Sequence, residues 1–237
     1  MKKIIISVII PIYNEESSLK RNFYKIYKFL NKNFSSFEII LIESGSTDKS
    51  NLLCAKFSRL KYIKLLIQKK REGFGSAIKL AIKNISGEFF CVVPIDLCFN
   101  LEILNILNKK KFDLLTTYRA KDNRSFFRLV QSVIYNTYIK FIFGLNVKSV
   151  NSVPKIYKSK LIKNKKLYSL GWTIDAELLY HYQKKDNKHE ELPINLIQRK
   201  FGNSKVKYID IVNIIFDSLI VRFMICISKI KPLFKFS

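Results

Sequence analysis

The chain has 237 residues, 48% hydrophobic and 26% charged, a length for one domain with or without an appendage and a composition that excludes disorder. Lys and Arg number 43 against 18 Asp and Glu, and the resulting formal charge of +25 favours polyanions: nucleotides, nucleic acid or an anionic membrane surface. Only eight of the 43 are arginines, and the lysine excess beside abundant Ile, Asn and Phe is as readily codon bias as selection.

Met1-Lys2-Lys3 and the apolar run behind it look briefly like a signal peptide. The run contains Pro11, lacks a small-residue cleavage site and passes straight into a polar motif, so it reads as a buried first strand, Ile4–Tyr13. Phe37–Ile42, Tyr62–Gln68 and Phe89–Ile95 are further β-branched or aromatic runs suited to strands buried on both faces. Between them lie helical patterns: Leu19, Phe23, Ile26, Tyr27 and Leu30 at helical spacing, then Asp48–Leu60 and Ser76–Ile85. This alternation predicts an α/β fold with a mostly parallel, Rossmann-like sheet flanked by helices, whose ligands sit beyond the carboxyl ends of the strands.

The second half is less regular. Phe112–Tyr118, Ser152–Tyr157 and Glu190–Gln198 are expected strands, with helices over Ser125–Phe143 and Thr173–Lys184. The organisation expected is one domain over residues 1–207 and an amphipathic tail over 208–237. On a helical wheel, Val212, Ile215, Phe216, Leu219, Ile220, Phe223, Cys226 and Ile227 share one face of the tail, and Asn213, Asp217, Ser218, Arg222, Ser228 and Lys229 lie mostly on the other. Asp217 and Arg222 make spanning costly, by roughly 2.5–3.5 kcal/mol each. Two placements remain open: the membrane interface, with Lys229, Lys231 and Lys235 near acidic headgroups, or docking on the protein's own core. No segment offers ~20 uninterrupted apolar residues, so a simple transmembrane helix is not supported.

Cys54, Cys91, Cys98 and Cys226 show neither a CxxC pair nor zinc-site spacing and lie in or beside apolar stretches. They read as buried free thiols of a reducing compartment. His181 and His189, one on a helix and one in a polar loop, are assigned no role.

The segments following the strands carry the chemistry. Pro11-Ile12-Tyr13-Asn14-Glu15-Glu16 reads as a helix start capped by Asn14. Glu43-Ser44-Gly45-Ser46-Thr47-Asp48 places a carboxylate where it can accept from a nucleobase N–H, with Thr47 or Asp48 able to cap the next helix. Arg71-Glu72-Gly73-Phe74-Gly75-Ser76 is basic and opens a helix, a composition suited to phosphate. Val93-Pro94-Ile95-Asp96-Leu97 follows the fourth strand. Any one of these alone is more often punctuation than a site; their shared position after strands of one sheet is what favours a site.

Together, VIIPIYNEE, ESGSTD, REGFGSAIKLAI with SGEFF, NSVPKIY, GWTIDAELLY and ELPINLIQRKFGNSK resemble, in order and spacing over about residues 4–210, glycosyltransferase family 2 of the GT-A fold. The resemblance is to its dolichyl- or polyprenyl-phosphate mannosyltransferase-like branch. It implies a nucleotide pocket formed by Pro11, Tyr13, Glu15 and Glu43, with Arg71 near that pocket or the diphosphate. It implies that Asp96 is the second acid of an Asp-x-Asp motif holding Mg²⁺ or Mn²⁺, and that Arg199, Ser204 and Lys205 form a closing motif on the diphosphate or sugar. The motif's residues, two apart at a strand end, are expected to project to one side.

The chain departs from the pattern at Glu43, in place of the usual Asp, at Pro94, in place of the first Asp of the metal motif, at Cys98, in place of a polar residue, and at Val153, in place of a Gly. Three outcomes stay open: Asp96 holding the metal alone with substrate phosphates, lysines neutralising the diphosphate without metal, or lost activity.

A lipid monophosphate acceptor is already an anion and needs cations to place it, not a base. Arg119, Arg124 and Arg128 cluster beyond the fifth expected strand, and Ser132 stands one helical turn after Arg128, a pair suited to one phosphate. Arg119, Arg128 and Ser132 match acceptor-phosphate positions of the branch, whereas Arg124 reads as a solvated cation. The expected partners are therefore a nucleotide-sugar, a polyprenyl-phosphate-like lipid and a peripheral membrane contact on the cytoplasmic face. Nucleic acid is not expected, since no recognition motif accompanies the charge. A sugar-hydroxyl acceptor, or a non-catalytic nucleotide-binding relative, is the alternative.

Overall fold

Successive side chains of a strand point to opposite faces, so each of the first two strands offers one apolar row to each of two separate layers of helices. Ile6, Val8, Ile10 and Ile12 of the first strand, with Ile39 and Leu41 of the second, face one layer, while Ile9, Ile40 and Ile42 face the other. A computed structural model describes residues 5–108, 111–121, 125–183, 187–197 and 208–230. The elements in chain order are β1 (Ile6–Ile12), α1 (Glu16–Asn33), β2 (Phe37–Ser44), α2 (Ser50–Phe57), β3 (Ile63–Gln68), α3 (Phe74–Asn84) and β4 (Phe89–Val92). A 3₁₀ segment (Leu101–Asn108) follows, then β5 (Leu114–Arg119), α4 (Phe126–Phe143), β6 (Ile156–Lys158), a short 3₁₀ turn (Ser159–Leu161), α5 (Ile174–Tyr182), β7 (His189–Ile194) and α6 (Tyr208–Ile230). Core side chains of α1, α2 and the first 3₁₀ segment cover one face of the sheet, and those of α3 to α6 cover the other.

The sheet has seven strands in the order β3-β2-β1-β4-β6-β5-β7. All neighbours are parallel except β6, which runs antiparallel to both β4 and β5. Its reversal brings its entry, rather than its exit, to the carboxyl edge of its neighbours. There the Thr117 hydroxyl lies 3.0 Å from the Ser152 hydroxyl and donates to the Pro154 carbonyl at 3.0 Å.

Several strands are shorter than expected, β4 and β6 most clearly. β4 stops at Val92, not Ile95: the Val93 N–H still reaches the Ile9 carbonyl at 2.9 Å, and Pro94 then has no N–H to continue a ladder. β6 begins at Ile156, not Ser152. His189 opens β7 instead of lying in a loop, with its Nε2 2.9 Å from the Thr116 hydroxyl. The first 3₁₀ segment has no counterpart among the expected elements; Leu101 and Leu104, three apart, are its buried residues.

The loops after β1 and β2 hold each other. Asn14 does not cap α1: it has a left-handed backbone (φ 52°), and its Oδ1 accepts from the Thr47 amide at 2.8 Å. The cap comes from the neighbouring loop instead. The Glu16 amide donates to Asp48 Oδ2 at 3.1 Å, the Glu15 amide to the Ser50 hydroxyl at 2.9 Å, and the Ser50 amide to Asp48 Oδ1 at 2.9 Å. One carboxylate therefore serves the N-termini of both α1 and α2, where acceptors are most needed. Burial works to raise the Asp48 carboxyl, but the bonds from Ser50 and the Glu16 amide prevail and hold it below its usual range.

A group depressed in this way stabilises the fold above its unfolded pKa, near 4, and loses that contribution as pH falls through the folded value. Asp48→Asn should thus be less stable than the wild type in urea unfolding at pH 7. The difference should close on acidification below about pH 4; a gap that is absent at pH 7, or widens in acid, contradicts the shared cap.

Candidate active site

Of the residues expected to bind the donor, Pro11, Tyr13, Glu15, Glu43 and Arg71 lie at or just beyond the carboxyl edge of β1, β2 and β3. Pro11, half-buried in β1, pairs in register with Ile42. Tyr13 follows the strand, half-buried, and the Arg71 guanidinium stands over its ring at 4.5 Å. Glu15 is half-buried at the N-cap position of α1.

Glu43, 5% exposed, lies in β2 beside Ile12 and Ile67. Its carboxylate is turned into its own loop, accepting from the Ser46 amide at 2.6 Å and the Gly45 amide at 3.2 Å. Each carboxylate oxygen has two acceptor sites, so these bonds shape the loop and leave capacity for a further donor. Gly45 has φ 68°, and a Cβ there would lie 3.0 Å from the Lys70 Cα; the absence of a side chain lets the β2 loop pack against the segment that carries Arg71.

The start of α3 differs from the phosphate cradle its composition suggests. The amides of Gly75 and Ser76 donate to the Leu170 carbonyl, at 2.9 and 3.3 Å. A Cβ on Gly73 would collide with that oxygen, and one on Gly75 would come within 2.8 Å of three backbone atoms of residues 169–171. Phe74 stacks on Trp172, with ring centroids 4.8 Å apart. These two amides already have their acceptor, supplied by the chain itself.

Glu177 of α5 is fully buried and holds the same loop, accepting from the Tyr168 amide at 2.7 Å and the Ser169 amide at 2.9 Å. Burial raises its carboxyl above the usual range, with the two amide bonds opposing. Its contacts are those of a structural anchor.

Asp96 does not sit at a strand tip. It is half-buried in the turn that Pro94 starts, closed by the Leu97 amide donating to the Pro94 carbonyl at 3.0 Å, so the two-apart projection expected of a strand end does not apply. Asn22 of α1 ties the turn down by donating to the Ile95 carbonyl at 2.9 Å. The Ile197 amide donates to the Cys98 carbonyl at 2.8 Å, which brings the chain leaving β7 alongside this turn. Arg199, Ser204 and Lys205 lie outside the described residues.

Among the described residues no group of three or more His, Cys, Asp or Glu side chains can hold a metal. Mg²⁺ commonly takes one or two carboxylates and completes its shell with substrate phosphates and water. A single carboxylate at position 96 therefore fits a metal that arrives with a diphosphate, not an ion held by the protein alone.

Of the residues expected to place an acceptor phosphate, Arg119 ends β5 and is exposed. Arg128 is exposed on α4, and Ser132 is half-buried one turn later, its hydroxyl 3.4 Å from the Asn136 amide nitrogen. Arg124 lies outside the described residues. α4 has only Ile139 and Phe143 buried, while Phe127 is 81% and Phe141 84% exposed. A shallow concavity of 480 Å³ runs along Val133, Ile134, Thr137, Tyr138 and Phe141.

α6 packs beside α4, but not by the face its wheel favours. Ile214, Ser218, Val221 and Ile225 are buried, and Ser218 meets the Tyr138 hydroxyl at 2.9 Å. Ile215, Phe216, Leu219, Ile220 and Phe223 face outward. The helix thus docks on the protein's core and also leaves its broad apolar face uncovered. No helix among the described residues is long and apolar enough to cross a membrane.

Cys54 and Cys91 are buried free thiols, each pushed up to about 12, chiefly by burial; Cys98 is half-buried and Cys226 exposed, so the expectation of four buried thiols holds for two. Sequence reasoning missed Lys155, 3% exposed with its Nζ 3.4 Å from Asp175 Oδ2, because one lysine among many carries no signal. The Leu170 carbonyl is equally invisible in a sequence, since any residue supplies such an oxygen.

The profile of "Glycosyl transferase family 2" matches residues 7–170. The undecaprenyl-phosphate 4-deoxy-4-formamido-L-arabinose transferase of Photorhabdus laumondii is 26% identical over 219 residues, covering 90% of this chain and 66% of that protein. The corresponding transferase of Salmonella choleraesuis is 26% identical over 217 residues, covering 90% and 65%. The chain thus spans about two thirds of the length of these relatives. Among solved structures, S. aureus TarS in complex with UDP-GlcNAc superposes with a TM-score of 0.58 at 20% identity, covering 85% of this chain and 60% of that one. Glucosyl-3-phosphoglycerate synthase from Mycobacterium tuberculosis, in complex with Mn²⁺, UDP and glucosyl-3-phosphoglycerate, gives 0.60 at 14% identity, covering 92% and 79%. These neighbours share the α/β fold expected from the sequence. With a profile match over most of its length, the chain belongs to glycosyl transferase family 2.

Proposed function

We propose that the chain is an inverting glycosyltransferase that moves a sugar from a nucleoside-diphosphate donor to a polyprenyl-phosphate-like lipid. The observation that carries the donor half is the meeting of Tyr13, Arg71 and the Glu43 loop at the carboxyl edge of β1–β3. The acceptor half is supported by Arg128 and Ser132 on an apolar, exposed helix, and by relatives named as undecaprenyl-phosphate sugar transferases.

Tyr13 and Pro11 then contact the base or ribose, Glu15 and Glu43 supply acceptors, and Arg71 and Ser204 lie toward the diphosphate. Arg119, Arg128 and Ser132 place the acceptor phosphate. Its oxygen attacks the anomeric carbon while the bond to the diphosphate breaks, and the electron pair leaves with the nucleoside diphosphate. No proton needs removal, because the nucleophile is already an anion. Asp96 would hold Mg²⁺ or Mn²⁺ on the donor, which supplies countercharge for the leaving group; Arg199 and Lys205 add fixed cations.

The protein would work peripherally on the cytoplasmic face of a membrane, with the outward faces of α4 and α6 toward the lipid. Aromatic and aliphatic side chains flanked by cations suit that interface. Pro94 favours a second reading, a nucleotide-binding relative without turnover.

With a radiolabelled nucleotide-sugar and a membrane extract, the wild type should label a lipid, and Asp96→Ala should lower that transfer by roughly 100-fold or more. Undiminished transfer in the variant rules out the metal role, and nucleotide binding without any transfer by the wild type selects the second reading. Phosphatase treatment of the acceptor should abolish labelling; labelling that survives it points to a hydroxyl acceptor. Arg128→Ala should raise the acceptor KM roughly tenfold, the loss of one charge-assisted contact, and leave the donor KM unchanged.

A further inference from the structure

Asp217 lies in the middle of a helix whose outward face is apolar, where a carboxylate serves neither a core nor a lipid surface. Its position has a different explanation in the contacts it makes. The Ser169 hydroxyl donates to Asp217 Oδ2 at 3.1 Å, with the Gly171 carbonyl a longer alternative at 3.5 Å. A Cβ on Gly171 would lie 3.3 Å from the same Oδ2, so the loop and the carboxylate are in close approach at two points.

The loop so held is the one that closes the start of α3. Glu177 takes its amides at 168 and 169, the Leu170 carbonyl receives the amides of Gly75 and Ser76, and Trp172 stacks on Phe74. Lys79 of α3 donates to the Tyr168 carbonyl at 3.5 Å; burial pushes its ammonium below the ordinary lysine range, and the charges of Glu177 and Asp217 oppose that. Three helices thus meet under one loop: α3 through Lys79, α5 through Glu177 and α6 through Asp217. Immediately before Phe74 comes the Arg71–Gly73 segment, and Arg71 stands on Tyr13.

We propose that Asp217 is a positioning residue for the donor site: from α6 it holds the Ser169–Trp172 loop against the start of α3 and so fixes the Arg71–Gly73 segment beside Tyr13. The link to the donor rests on the function proposed above; the hold on the loop does not. The C-terminal helix is then part of the donor site's support and not only a lipid-facing appendage. Seating α6 correctly and shaping the nucleotide pocket become one structural requirement.

Trp172 is the sole tryptophan of the chain, so its fluorescence reports this loop alone. The test uses the full chain with Ser169→Ala, Asp217→Ala and Asp217→Asn, the last retaining an oxygen that can accept from Ser169. Acrylamide quenching of Trp172 should rise clearly in Ser169→Ala and in Asp217→Ala, with emission shifted to the red. Calorimetric titration with UDP and GDP in the presence of Mg²⁺ should show the dissociation constant of whichever nucleotide the wild type takes rising about three- to tenfold in both variants. Asp217→Asn should stay near the wild type in both measurements, and the Ser169→Ala, Asp217→Ala double variant should be no worse than either single one, as expected of two residues sharing one interaction. The acceptor KM should not change.

Unchanged quenching in Asp217→Ala overturns the hold on the loop. Raised quenching with an unchanged nucleotide constant overturns the coupling to the donor site. Equal losses in donor and acceptor constants overturn it in favour of general support of the fold. A wild type that binds neither nucleotide overturns the donor reading itself, and the quenching still decides the hold on the loop.

Discussion

The contact that ties the second half of the chain to the candidate site is between a backbone carbonyl and two backbone amides: the Leu170 oxygen against the N–H groups of Gly75 and Ser76. A helix start leaves such amides without intrahelical partners, and in many nucleotide-binding folds an anion takes them. Here a loop from the second half of the chain does so, and glycines at 73 and 75 give it room to approach. The second half is thereby fastened to the first. A diphosphate bound at this edge, as proposed above, would have its charge met elsewhere, with Arg71 and a metal at Asp96 the proposed means.

Several acids of this basic chain serve backbone amides. Asp48 serves two helix starts, Glu43 its own loop, and Glu177 the loop at 168–169. These bonds fix the geometry of the carboxyl edge, where a net charge of +25 alone would give attraction without shape. Asp96 lies in a turn beyond β4, next to the chain leaving β7. That position, more than its identity, makes it the residue through which the donor's metal is proposed to act.

Much of this is legible in the sequence. Apolar runs alternating with amphipathic helices carry the order of strands and helices, since a two-sided parallel strand leaves little choice of residue. The reversal of β6 is not legible, because direction leaves no mark on a three-residue strand. The end of β4 is hidden although Pro94 is in plain view: apolarity continues through Val93 and Ile95, both buried, after the ladder has ended. Asn14 looks like a cap because the true one, Asp48, comes from the next loop and cannot be seen from local spacing. For α6, the stronger apolar stripe points to the wrong docking face; the buried row of Ile214, Ser218, Val221 and Ile225 is narrower and contains a serine whose partner, Tyr138, lies on another helix.

The carboxyl edge is proposed to receive a nucleoside diphosphate together with a divalent metal, even though Pro94 stands where a second metal-binding acid would be. Isothermal titration of the full chain with UDP and with GDP, each with and without Mg²⁺, tests this most directly. One of the two should bind at a single site, and Mg²⁺ should tighten that binding by about tenfold or more. Binding that is indifferent to the metal, or no binding of either nucleotide, would contradict it.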